Sequence, residues 1–423
     1  MKILHVVDSI DAEKGGVSQA VQIIVAESVK NGIWTEVISI DYPTYFIDNS
    51  LFTVHALGPS KTPWSYSGKL IPWLLKNISR FDVIIIHGLW LYQSYGVTKA
   101  LKIFKNKEHK KEGYNSPKLF IMPHGMLDPY FQHSKGRKIK AIRNWLYWKL
   151  IEGHVVNKAD GILFTCREEC RLANDTFRPY HPKYKAIVGL GIIEPPAFNY
   201  AMHQAFLKKC PGIKNNSYIL FLGRIDPKKG IDHLINAYGK VINEIRVNEI
   251  ALSAIRVLKN GTDSANSKNE KFPKLVIAGP GLETPYGKKI HDMVSSNPFL
   301  SASVFFTGML EGEAKWGAFY NCDAFLLPSH QENFGIAVVE ALACSKPVLI
   351  SKQVNISYEI KAFGGGLVDD DSLEGTCNIL KSWFKMPHQD QITMGVQARK
   401  CFENYFAAGP AVDKVIKAVS AKY

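Results

Sequence analysis

Residues 328–348, PSHQENFGIAVVEALACSKPV, hold two glutamates eight positions apart, Glu332 and Glu340, with an almost wholly apolar run between them. AFLLPS ahead of them has the pattern of a buried strand and HQENF that of a loop. FGIAVVEALA has the apolar spacing of a helix that starts near Gly335. Glu332 then stands at the mouth of a strand, and Glu340 lies inside a helix among apolar neighbours. A carboxylate there is costly unless hydrogen-bonded, and ligand hydroxyls would satisfy it. FLGRIDPKKGIDHLINAY, residues 221–238, has the same layout. Gly223 ends a buried strand, Arg224 and Lys229 project from the next loop, and a helix starts near Gly230. Two cations at the carboxyl edge of a strand, beside the positive end of a helix dipole, suit a diphosphate.

Weaker signals accompany these. In DSIDAEKGGVSQAVQ, Gly15 and Gly16 make a tight turn ahead of a helix, and its backbone N–H groups suit a phosphate or hydroxyl. The pattern is not GxGxxG, and Asp41 lies beyond the usual interval for a residue serving a dinucleotide ribose. SKGRKIKAIRNWLYWKL, residues 134–150, interleaves cations with Ile139, Ile142, Trp145, Leu146 and Trp148. Such a basic amphipathic helix suits an anionic membrane or a lipid diphosphate, and equally suits packing of its apolar stripe on its own domain. No D-x-D pair stands at a strand end near these motifs, and Asp369–Asp371 reads as an exposed turn. Metal dependence is therefore not expected.

Lysine plus arginine, 52, exceeds aspartate plus glutamate, 38, by 14. That excess points to an anionic partner: a phosphorylated ligand, an acidic lipid or nucleic acid. Seven scattered cysteines with no CxxC pair argue against a disulfide framework or a zinc site and for a reducing compartment. Cys166 and Cys170 read as structural. MKILHVV is a strand pattern, not a signal peptide, and no apolar run nears the ~20 residues of a spanning helix. These features predict a cytoplasmic chain, at most peripheral on the inner face of the plasma membrane.

Two domains are needed to position these residues, since 423 residues exceed one ordinary core. KILHVVD, TEVISID, FTVHAL, DVIIIHG, KLFIMPHG, GILFT and YKAIVGLG read as strands of a parallel sheet with helical crossovers. After the proline-bearing joint IIEPPAF the alternation restarts with YILFLGR, KLVIAGPG, VFFTGM, AFLLPS and PVLIS. Two successive doubly wound α/β domains account for this. The predicted boundaries are 1–196, 197–405 and a C-terminal helix, 406–423, packing back towards the first domain. Residues 105–118 and 258–274, polar and unpatterned, are expected to be exposed insertions, the second one mobile.

GRIDPKKG, VIAGPG, FTGML and PSHQENFGIAVVEALACSKPV, in this order and spacing, resemble the C-terminal half of retaining glycosyltransferases of family 4. Gly15–Gly16, HGMLDPY at 124–130 and the aromatic-rich C-terminal segment extend the resemblance over nearly the whole chain. It implies the GT-B fold, two Rossmann-like domains facing each other across a cleft that holds a nucleotide sugar. It further implies that Arg224 and Lys229 neutralise the diphosphate, that Glu340 binds the ribose hydroxyls and that Glu332 contacts the transferred sugar. Phe334 and Gly335 would lend backbone N–H groups, Gly223 and Met309 would line the nucleotide, His124 would stand beside the reactive carbon, and Gly16 would admit the phosphate or acceptor. Beyond the donor substrate, neither a cofactor nor a metal is expected.

HGMLDPY followed by a basic stretch looks like enzymes of bacterial exopolysaccharide and O-antigen assembly. A saccharide acceptor linked to a polyprenyl diphosphate is therefore expected, with Asp128, Arg137, Lys138, Arg143 and Trp145 as candidate acceptor or membrane residues and no nucleic-acid partner. Two departures stand out: Ser345 replaces a usual glycine, and VGLGI lacks an asparagine before its second glycine. A GT-B nucleotide-sugar 2-epimerase, or a non-catalytic basic protein binding membrane or nucleic acid, remain the alternative readings.

Overall fold

The computed structural model describes residues 1–43, 51–60, 62–108, 116–133, 138–260 and 272–421. The chain divides into two compact units, residues 1–193 with 405–423, and residues 194–404. In the first unit, seven strands form one parallel sheet: β1 (Lys2–Val6), β2 (Trp34–Ser39), β3 (Thr53–Ala56), β4 (Val83–His87), β5 (Lys118–Met122), β6 (Gly161–Phe164) and β7 (Lys185–Ile187). Their spatial order is β3-β2-β1-β4-β5-β6-β7. The runs are apolar on both faces because helices cover both sides; every residue of β4, VIIIH, is buried.

The second unit repeats the plan with β8 (Tyr218–Leu222), β9 (Lys274–Ala278), β10 (Val304–Gly308), β11 (Ala324–Leu327), β12 (Val348–Ser351) and β13 (Gly366–Asp369). Their order is β10-β9-β8-β11-β12-β13, and the pairings are parallel. Strand β13 is an addition to the five expected here. Its residues, GLVD, are too few and too closely flanked by Gly and Asp to register as a strand. The triple aspartate is accordingly not a free turn: Asp369 ends β13, and Asp371, half-buried, accepts from His330 Nδ1 at 2.6 Å.

In both sheets the chain reverses winding direction at one place, between β1 and β4 and between β8 and β11. Loops leaving the carboxyl ends of such neighbours splay apart and open a crevice. The insertion ranges are shorter than expected, because helix Tyr92–Glu108 takes residues 105–108 and helix Ile231–Asn260 takes 258–260. The expected loops at 109–115 and 261–271, including the mobility foreseen for the second, lie outside the described residues.

The C-terminal helix, Ala408–Ser420, belongs to the first unit and packs on helix Gly16–Lys30. Ala408, Ala411, Val412, Val415, Ala418 and Val419 form its buried face at helical spacing. The GLGI stretch meets it closely: a side chain at Gly191 would come within 2.4 Å of Ala408 Cα.

Ser345 ends the helix Ile336–Ala343. Lys346 N–H bonds Ala341 O at 2.9 Å and Ser345 N–H bonds Leu342 O at 3.0 Å, which is the Schellman pairing. The residue at its left-handed corner is normally glycine, and here Ser345 takes φ 59°. The backbone thus has the geometry a glycine would give, held against a Cβ that disfavours it by about 1–2 kcal/mol. Ser345→Gly should raise stability by roughly 0.5–1 kcal/mol, less than the full strain because glycine frees the unfolded chain. A urea midpoint that falls in the variant would contradict this account.

Candidate functional site

In the second unit, three strand ends are locked together where backbone alone fits. Gly279, at φ 142°, would place a Cβ 1.9 Å from Gly223 O, and Gly281, at φ 118°, one 2.7 Å from Ile225 O. Gly223 N–H bonds Ala278 O and Ile225 N–H bonds Pro280 O, so the GRI and GPG loops lie side by side. Asp226 caps the turn Pro227–Lys229 through Lys228 N–H. Gly230 then turns left-handed, and a Cβ there would sit 2.3 Å from Pro328 O at the end of β11. His330 N–H donates to Lys228 O at 2.9 Å, which fixes the cationic loop against PSHQE.

This brings the predicted donor residues onto the carboxyl ends of β8, β10 and β11. Arg224 is exposed and has no ion-pair partner among the described residues. Lys229 pairs directly with Glu332, both side chains being mostly buried. The Glu332 backbone is held at both ends, its N–H on Gln353 O and its C=O receiving Asn355 N–H. Gly335, at φ 73°, caps the helix Ile336–Ala343, and Phe334 beside it is buried. Met309, just beyond β10, is 60% exposed, an unusual position for a methionine and one open to a ligand.

Glu340 is buried, as its setting predicted, and burial pushes its carboxyl above the usual range against the pull of Lys315. Lys315 Nζ donates to Glu340 Oε1 at 2.5 Å. This partner was missed from sequence. It lies on the helix Gly312–Asn321, 25 residues upstream, a separation with no local spacing signature.

In the first unit, the loop of Gly15 and Gly16 is organised by Asp41. Although burial opposes its charge, hydrogen bonds from Ser9, Ile10 N–H and Lys14 hold the Asp41 carboxyl below the usual range. Asp41 thus serves the loop itself. Gly15 takes φ 133°, and Gly16 opens the helix Gly16–Lys30.

His124, at φ 52°, follows β5. The left-handed turn is held by Glu169, whose buried carboxylate accepts from Gly125 N–H at 2.5 Å and from Thr165 N–H and Oγ1. Glu152 plays a similar part for the loop after β4, accepting from Trp90 N–H, with its pKa pushed up to about 7 by burial. Behind His124 stand two further histidines unforeseen from sequence. His87 Nδ1 lies 3.0 Å from His124 Nε2, and His5 Nδ1 lies 2.8 Å from His87 Nε2. Their only sequence signal is a polar residue inside an apolar strand run, in KILHVV and VIIIH.

The remaining candidates separate. Asp128 is buried and accepts from Tyr130 N–H at 2.8 Å, the bond of a turn. Arg137 lies outside the described residues. Lys138, Arg143 and Trp145 are exposed on one helix, Lys138–Tyr147, with Arg143 stacked over Trp64.

Among the described residues, His233, His330 and Asp371 are the one set of three metal-type side chains whose ligand atoms lie within 4.8 Å of one another. Two ligands of a tetrahedral ion at ~2.0–2.1 Å stand roughly 3.3 Å apart. The 2.6 Å from His330 Nδ1 to Asp371 is instead a charge-assisted hydrogen bond, which raises the His330 pKa.

Solved structures share this architecture. Over 99% of this chain and 98% of its own, a sucrose-phosphate synthase from Thermosynechococcus elongatus superposes with a TM-score of 0.68 at 14% identity. Anabaena HepE, solved with UDP and glucose, gives 0.65 at 16% identity over 99% of both chains. The fold is GT-B. Residues 204–400 match the family model of glycosyl transferases group 1, which covers the β8–β12 site. A glycosyltransferase of Methanocaldococcus jannaschii, MJ1607, itself uncharacterised, is 26% identical over 170 residues, 39% of this chain and 36% of that one. The chain spans less than half the length of the curated relatives it matches.

The chain of His5, His87 and His124 makes stability acid-sensitive. Burial lowers His5 to about 3 and His124 to about 4, and holds His87 well below 6.5. All three stay neutral in the fold while the unfolded chain takes up protons below about pH 6.5, so stability falls as pH drops through that value. Each histidine contributes about 1.4 kcal/mol per pH unit once the unfolded form is charged. Thermal unfolding between pH 7 and 5 should show the loss, less steeply in His5→Phe; an equal slope in that variant would remove His5 from the account.

Proposed function

We propose that the protein is a retaining, metal-independent glycosyltransferase that moves a sugar from a nucleoside-diphosphate sugar to a saccharide hydroxyl. The observation carrying this reading is the set of Arg224, Lys229 and Glu332 on the loops leaving β8 and β11, with Glu340 in the helix that follows, inside the segment matching glycosyl transferases group 1. Arg224 and Lys229 face a dianion with fixed positive charge, the helix Ile336–Ala343 adds its N-terminal dipole, and Glu340 binds two vicinal ribose hydroxyls. The cations supply the charge stabilisation that a metal would otherwise give.

In the reaction the acceptor oxygen attacks the anomeric carbon on the face the diphosphate leaves. The carbon–oxygen bond to the diphosphate breaks with its electron pair passing to the phosphate oxygen. That oxygen takes the acceptor's proton, so no protein nucleophile is assigned. Glu332 orients the sugar hydroxyls, and His124 orients the sugar and stabilises charge at its reactive end.

A thermal-shift screen against UDP-, GDP- and ADP-sugars tests the donor assignment, because ligand binding raises apparent stability with occupancy. HepE, solved with UDP and glucose, makes the UDP-sugars the first to try. Arg224→Ala and Glu340→Ala should abolish the shift. Glu332→Ala should keep nucleotide binding and lose transfer at least 100-fold, on the order expected for an orienting contact in the transition state. Wild-type transfer in both glutamate variants would overturn the assignment.

A second observation favours a peripheral place on an anionic membrane and a lipid-linked acceptor, as in surface polysaccharide assembly. Ile139 is 86% exposed, Ile142 62%, Trp145 52% and Leu150 74%, alongside exposed Lys138, Lys140, Arg143 and Lys149. The same helical segment buries a different stripe, Asn144 and Trp148, on its own unit, so internal packing does not account for the exposed one. No helix among the described residues is long and apolar enough to cross a membrane. An interfacial helix of this kind sinks its apolar side chains below the headgroups while the cations meet acidic lipid. Trp145→Ala with Ile142→Ser should reduce co-sedimentation with phosphatidylglycerol vesicles about tenfold or more and leave the UDP shift intact. Equal binding to neutral phosphatidylcholine vesicles, or none to either, would count against the membrane role.

A further inference from the structure

The three-histidine chain of the first unit has a direction. His5 lies in β1 and His87 ends the adjacent β4; their rings stack at 5.1 Å, and those of His87 and His124 at 5.3 Å. The two short contacts leave one ring nitrogen over at each end, His5 Nε2 and His124 Nδ1. His5 is completely buried, and its Nε2 has no hydrogen-bond partner among the described residues. His124 is the half-buried member, the one within reach of solvent or ligand.

Burial keeps all three rings neutral, so each carries one N–H. Two arrangements satisfy both contacts. With every proton on Nδ1, His5 donates to His87 and His87 donates to His124, leaving a bare lone pair on His5 Nε2. With every proton on Nε2 the donations run in reverse and strand an N–H at His5 Nε2 where nothing accepts it. Isolated histidine weakly prefers the Nε2–H form, but an orphaned buried N–H is rarer and worse tolerated than an unused acceptor. The interior end therefore selects the first arrangement.

We propose that His5 and His87 are positioning residues that fix His124 as the Nδ1–H tautomer, so that it presents a hydrogen-bond donor, and not a base, to an oxygen of the sugar. The inference rests on the assignment of His124 to the donor sugar. A neutral ring with Nε2 occupied and Nδ1 protonated has no free lone pair to accept the proton of an incoming hydroxyl. It can hold a sugar oxygen in place and stabilise negative charge on it.

The tautomer can be read without any donor, from long-range ¹H–¹⁵N spectra of the full chain with ¹⁵N-labelled histidine rings. His124 should show a protonated Nδ1 and an unprotonated Nε2, unchanged from pH 8 to 6. His87→Phe, which removes the donor to His124 Nε2, should turn the His124 signals into a mixture of tautomers. His87→Asn, whose side-chain N–H₂ stands near the place of Nδ1, should restore the Nδ1–H pattern. A protonated Nε2 at His124 in the wild type, or an unaltered His124 in His87→Phe, would overturn the proposal. UDP serves as the probe of the donor site: its thermal shift should survive in both His87 variants. Absence of that shift in the wild type would sink the donor reading while leaving the tautomer result standing.

Discussion

The close approach of Gly230 to Pro328 O sets the architecture of the proposed donor site. Parallel strands β8 and β11 are neighbours whose outgoing loops must diverge, yet the cationic loop and the PSHQE loop touch through backbone. A Cβ at 230 would stand 2.3 Å from a carbonyl oxygen, so only glycine lets the two loops meet. From that contact follow the bond from His330 N–H to Lys228 O and the pairing of Lys229 with Glu332. Glycines 279 and 281 repeat the device one strand further out, where the GPG loop lies against Gly223 and Ile225.

The first unit solves a related problem with buried carboxylates. Its loops after β4 and β5 contain left-handed non-glycine residues, Trp90 at φ 72° and His124 at φ 52°. Such conformations persist only where the surroundings over-determine them. Glu152 and Glu169 supply that constraint by accepting the backbone N–H groups of Trp90 and Gly125. Asp41 does the same for the Gly15–Gly16 loop. Three acidic residues that look dispersed in sequence therefore share one task, the satisfaction of loop amides at the carboxyl edge of a sheet.

Local signals were legible and distant pairings were not. Twelve strands announced themselves as apolar runs, and the helix starting after Gly335 followed from its spacing; β13 was hidden because four residues between glycines and aspartates carry no period. Arg224, Lys229, Glu332 and Glu340 could be read because strand, loop and helix follow one another within about twenty residues each. Lys315 could not, since an ion pair between separate helices leaves no mark in either. The His5–His87–His124 chain was invisible for the same reason: its members belong to three different strand ends. Ser345 reads as a departure from the usual glycine, but only the backbone shows that the left-handed corner is kept in spite of it.

One consequence follows from the lysine–glutamate pairs. Lys229 is engaged by Glu332 and Lys315 by Glu340, so of these five side chains only Arg224 has its charge uncompensated. On the proposed reading a diphosphate would have to win Lys229 away from Glu332, and a ribose would have to share Glu340 with Lys315. Glu332 would then be free to accept from sugar hydroxyls only once the phosphates had taken its lysine. The order of engagement in that reading is set by which side chains hold each other beforehand.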